Sequence, residues 1–63
     1  SDIQTSKIYE YMGLCDIAKQ DYMSALMNID KAIILSDDDE YLENKYNEIK
    51  EILENNNEKD VQE

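Results

Sequence analysis

The chain has 63 residues, sixteen of them acidic and six of them lysine, for a formal charge of −10, and it contains no Arg, His, Trp, Phe or Pro. A chain this short makes one domain at most and buries only roughly 60% of its unfolded surface, which leaves no room for a cofactor fold beside a substrate pocket. The charge argues against nucleic acid and anionic membranes, because phosphate binding needs clustered Lys or Arg.

Helical spacing dominates, and strand-type alternation is absent. The first predicted helix runs from about Ile3 to Lys19, with Ile8, Tyr9, Met12 and Cys15, joined by Leu14 and Ile17, recurring at three- and four-residue steps. The second carries the clearest stripe, Tyr22, Ala25, Leu26, Ile29, Ala32 and Ile33. Asp21 stands ahead of it as an N-cap whose carboxylate accepts an otherwise unpaired amide hydrogen. The break at Lys19-Gln20-Asp21 leaves space only for a tight turn, so the two helices are expected to form an antiparallel hairpin.

A third helix is expected after Ser36-Asp37-Asp38-Asp39, capped by Ser36 or Asp37 and favoured by the acids at the positive end of its dipole. Leu42, Tyr46, Ile49 and Leu53 form its single narrow apolar stripe. Beyond Glu54 only Val61 is apolar, so residues 55–63 are expected to be a disordered acidic tail, leaving residues 1–54 as a three-helix module. The fold class is all-α.

The segment from Ser6 to Asp39 resembles one tetratricopeptide repeat, a helix-turn-helix unit of about 34 residues. Tyr9 matches the first aromatic of that family, and Met12 with Gly13 matches its large-then-small pair. Tyr22 follows the turn, Ala25, Ile29 and Ala32 take the small-large-small positions, and Leu35 closes the unit. The resemblance implies that Gly13 and the alanines let the two helices cross closely. Asp16 replaces a usual aromatic, which weakens the core or requires a polar partner. Gln20 replaces a common turn glycine, and Asp37 replaces the usual proline. In the same register the third helix resembles a terminal capping helix: its stripe packs backward, while Glu43, Asn47 and Lys50 offer a further helix nothing apolar. A looser resemblance, to the microtubule-interacting-and-trafficking domain, implies a three-helix bundle that binds a short peptide of a membrane-remodelling complex.

No enzyme is expected. Without His, a Cys or Ser nucleophile lacks its usual base, and Cys15 on an apolar face is expected to pack. The run Asp37-Asp38-Asp39-Glu40 lacks the alternating ligands and central Gly of a calcium loop, so no metal and no cofactor is expected. A lone cysteine cannot form an internal disulfide, which points to a reducing, cytoplasmic setting. No apolar run is long enough to span a bilayer, and Ser1-Asp2-Ile3-Gln4 does not read as a signal peptide. A start without Met is expected of a piece of a longer protein.

What remains is protein–protein interaction. The repeat resemblance implies a concave groove of Lys7, Glu10, Leu14, Ile17 and Ala18 on the first helix. The family's chaperone clamp is not expected, since Lys7 has Tyr11, not a basic residue, one turn on. Met23, Met27 and Ile34 form a second apolar stripe on a helix whose other side already faces the core, and flexible methionines suit adaptable binding surfaces. Ile8 and Cys15 lie where a preceding repeat would dock. The expected partner is therefore a protein or peptide, with a basic one favoured by the negative field. A homodimer, docking on missing upstream repeats, or a purely structural oligomerisation role are the alternatives. Residues 37–63 hold eleven acids and three lysines, net −8, and residues 1–36 hold five and three, net −2, so the acidity belongs to the cap and tail.

Overall fold

A computed structural model describes residues 2–61, and in it the chain forms three α-helices, α1 (Ile3–Ala18), α2 (Tyr22–Leu35) and α3 (Glu40–Val61), with no strand among the described residues. Asp2 caps α1. Its carboxylate accepts from the Thr5 amide at 3.1 Å and from the Thr5 hydroxyl at 2.7 Å. Those bonds, the amide one first, hold the Asp2 carboxyl below its ordinary value. The Asp2 amide in turn donates to the Leu35 carbonyl at 3.0 Å, tying the start of α1 to the end of α2.

The turn between α1 and α2 is a Schellman motif. The Gln20 amide donates to the Ile17 carbonyl, and the Asp21 amide donates to the Asp16 carbonyl, both at 2.9 Å. Gln20 itself takes the left-handed conformation, φ 62°, where glycine is usual. Asp21 then caps α2 as expected, accepting from the Ser24 amide at 3.3 Å.

The cap of α3 is Asp39, not Ser36 or Asp37. Its Oδ1 accepts from the Leu42 amide at 3.2 Å. Ser36 is occupied behind the turn, where its hydroxyl donates to the Ile33 carbonyl at 2.9 Å and closes α2. Glu40 and Glu43 follow in the first turn of α3, at the end of the dipole that favours negative charge. The helix then continues past Glu54 to Val61, through most of the segment expected to be a tail. Glu, Lys and Asn cost only a few tenths of a kcal/mol each in a helix, and no Gly or Pro interrupts propagation. Gln62 and Glu63 lie outside the described residues.

The helix α2 is central, with α1 packed on one side of it and α3 on another. Ala25, Ile29 and Ala32 of α2 are fully buried with Leu42 and Ile49 of α3, and Tyr9, Ile17, Tyr22, Leu26, Ile33, Tyr46 and Leu53 pack around them. Each fully buried Leu or Ile contributes about 1.5–3 kcal/mol. Close approach depends on Gly13: a Cβ there would lie 2.7 Å from Ile29 Cδ1. Ser6, also buried, donates its hydroxyl to the Ala32 carbonyl at 2.7 Å. Asp16 does have its polar partner, the Asn28 amide group, at 2.7 Å.

Two expected packing residues lie elsewhere. Met12 is 44% exposed, and Cys15 is exposed as well. Both stand where the described residues leave α1 largely open. Leu35 is half-buried.

Candidate protein-interaction surface

Three helices leave two distinct sides of the hairpin open. On the side toward α3, Ile3, Ser6, Lys7 and Glu10 of α1 meet the Ser36–Glu40 turn around a cleft of ≈420 Å³. Five carboxylates, those of Glu10, Asp37, Asp38, Asp39 and Glu40, line it with one ammonium, that of Lys7. Lys7 and Glu10 pair with each other at 3.9 Å, a surface pair of small energetic value. Among the described residues no cluster of acids and Cys is arranged to hold a metal ion.

Of the five expected groove residues, only Lys7 and Glu10 line this cleft. Ala18 is exposed, Leu14 is half-buried, and Ile17 packs against the core cluster. The structure therefore divides the expected groove into a charged end and an apolar run along α1.

The opposite side of the hairpin is apolar. Met23, Met27 and Ile34 are 60%, 68% and 71% exposed on α2. Their i, i+4, i+11 spacing sets them on the side of the helix away from Ile29. Between α1 and α2 lie two shallow hollows. One, of ≈300 Å³, is lined by Tyr9, Met27, Asn28, Asp30, Lys31 and Ile34. The other, of ≈280 Å³, is lined by Thr5, Tyr9, Lys31, Ile34 and Leu35. Tyr9, Lys31 and Ile34 belong to both, so the two form one continuous surface. The Lys31 ammonium stands 5.3 Å from the centroid of the Tyr9 ring, a cation–π distance. Met12, three residues beyond Tyr9 on the same side of α1, and Ile8, four before Met12, extend the apolar ground.

Tyr9 and Lys31 were not expected at a surface site. Tyr9 reads from spacing as a core aromatic, and it is half-buried against the core while also lining both hollows. A signal was present in Asp30-Lys31, the only charged positions inside the stripe that otherwise runs Met23, Met27, Ile34.

No helix among the described residues is long and apolar enough to cross a membrane. Comparison with known protein families, with curated proteins and with solved structures gives no match.

Proposed function

We propose that this chain is a helical protein-interaction module, the terminal part of a tetratricopeptide-type scaffold, acting in a reducing cytoplasmic setting. The apolar back of the α1–α2 hairpin receives a helix of a protein partner, and α3 closes the opposite end. Support comes from the exposed row of Met23, Met27 and Ile34 beside the hollows that Tyr9 helps to line, an apolar surface of a kind that monomeric proteins keep small. The close Gly13–Ile29 approach and the buried Ala25 and Ala32 support the repeat resemblance.

A second reading, capture of a basic peptide beside α1, is favoured by the cleft of five carboxylates around Lys7 and Glu10. It differs in its salt dependence, because exposed charges are screened at high ionic strength.

The immobilised chain and its Met27→Glu/Ile34→Glu variant distinguish these readings in a capture experiment from cell extract. The back-face reading expects a protein, or longer copies of this same chain, retained by the parent and released by the variant at any salt. Retention that survives the double variant and collapses with salt selects the acidic cleft. If neither chain retains any protein, the interaction module is wrong.

A further inference from the structure

The aliphatic hydroxyls of the chain belong to Ser1, Thr5, Ser6, Ser24 and Ser36, and Ser1 lies outside the described residues. Thr5, Ser6 and Ser24 are held in helices, and Ser6 is buried with its hydroxyl on the Ala32 carbonyl. Ser36 is placed differently. It begins the link between α2 and α3, outside both helices, with an extended backbone of φ −96° and ψ 175°. It also lines the ≈420 Å³ cleft. The four residues that follow it, Asp37, Asp38, Asp39 and Glu40, are all acidic, whereas no other hydroxyl residue has more than one acid among its next four.

A serine kinase selects its substrate by access to the hydroxyl and by the charge around it. Its groove takes an extended surface segment, and a groove lined with Lys and Arg favours acids just after the serine. Ser36 meets both conditions, and the hydroxyls of Thr5, Ser6 and Ser24 meet neither. Asp38, with φ 49°, bends the run, so the turn straightens as the groove takes it.

We infer that Ser36 is a phosphorylation site for an acid-directed serine kinase, and that the phosphate loosens α3 from the α1–α2 hairpin. In the transfer, Ser36 Oγ attacks the γ-phosphorus of Mg·ATP; the Oγ–P bond forms and the bond to ADP breaks. The hydroxyl proton passes to the catalytic carboxylate of the kinase. Ser36 then loses the hydrogen that it donates to the Ile33 carbonyl at 2.9 Å. The phosphate brings a charge of about −1.5 to −2 to the negative end of the α2 dipole. Around it stand the five carboxylates of the cleft and the single ammonium of Lys7. The start of α3, which favours anions, is already capped by Asp39. Each effect weakens the α2–α3 junction. The inference stands apart from the interaction-module reading, which rests on the back of the hairpin.

The full chain, incubated with casein kinase II and Mg·ATP, tests it. One phosphate is expected, located at Ser36 by fragmentation mass spectrometry and absent from Ser36→Ala. Asp38→Asn/Asp39→Asn keeps the turn, because Asn tolerates the left-handed region and caps helices as well as Asp does. This double variant should be phosphorylated about tenfold more slowly, through lost charge complementarity. In urea, the phosphorylated chain should unfold at a lower midpoint than the parent and than Ser36→Ala, which loses the hydrogen bond without gaining charge. High salt should bring its midpoint up to that of Ser36→Ala. No incorporation, a phosphate elsewhere, or a double variant modified as fast as the parent overturns the site. A phosphorylated chain as stable at low salt as Ser36→Ala overturns the loosening. The double variant and the parent midpoint keep both parts testable even if Ser36→Ala fails to fold.

Discussion

The α1–α2 hairpin and α3 bury apolar surface by opposite means. In the hairpin, small residues at the crossing, Gly13, Ala25 and Ala32, bring two backbones so close that Ile29 occupies the space of a missing methyl group. The hairpin is nearly neutral, at net −2, and exposes apolar side chains on its outer side. In α3, the larger Leu42 and Ile49 fill the space against α2, and the other positions are mostly acids, asparagines and lysines, with Tyr41 and Ile52 exposed among them. One region packs closely and leaves apolar side chains exposed; the other covers α2 and carries most of the acidity.

The largest expected effect comes from cutting the link between the two regions. Leu42 is fully buried against α2. Leu42→Ala should cost about 2–5 kcal/mol. At about 0.05–0.15 kcal/mol per residue, that is a large share of the stability of a domain this size. Because Leu42 and Ile29 share one core cluster, urea unfolding followed by circular dichroism should stay a single transition, shifted to a lower midpoint. Two separate transitions, α3 first and the hairpin later, would show that the regions fold independently.

The hairpin and the stripe of α3 were legible in the sequence because both rest on periodicity: Ile29 with the alanines, and Leu42 with Ile49, recur at helical steps and are buried. Periodicity says nothing about which flank of a helix a third helix leaves bare. Hence Met12, on an apolar stripe of α1, lies exposed, since α3 packs against α2 and leaves that flank of α1 open. Polar residues were the other blind spot. Ser6 reads as an ordinary helix residue, and only the tertiary contact reveals its hydroxyl bonded to the Ala32 carbonyl. Asp39 was one of four consecutive cap-competent residues, and composition could not choose among them. The choice fell to the residue immediately before the helix because Ser36 was already committed to closing α2. Spacing likewise left Ile17 open to either side of α1, and only the packing shows it against the core cluster.

A smaller effect tests the close crossing. Gly13→Ala gains about 1 kcal/mol in helix propensity but forces Ile29 to move inside a filled core, which costs about 1–3 kcal/mol. The net expectation is a loss of about 1 kcal/mol in thermal or urea unfolding. Adding Ile29→Val removes Cδ1, the atom 2.7 Å from the new methyl, and should recover part of the loss. A Gly13→Ala chain more stable than its parent would mean that packing in the hairpin is as loose as on an ordinary helix surface.

The smallest effect compares the turns that lead into α2 and α3. Each places a non-glycine residue in the left-handed region, Gln20 with φ 62° and Asp38 with φ 49°. Aspartate visits that region more readily than most residues, whereas glutamine has no such local compensation. Glycine at position 20 relieves the side-chain clash of the Schellman turn but enlarges the entropy of the unfolded chain, and the first effect is the greater. Gln20→Gly should therefore stabilise the chain by about 0.5–1 kcal/mol, read as a higher urea midpoint with an unchanged slope. Asp38→Gly should gain less, because the aspartate there forgoes less by turning left-handed. An equal gain at both positions would show that the two turns are strained alike and that the hairpin turn has no special cost.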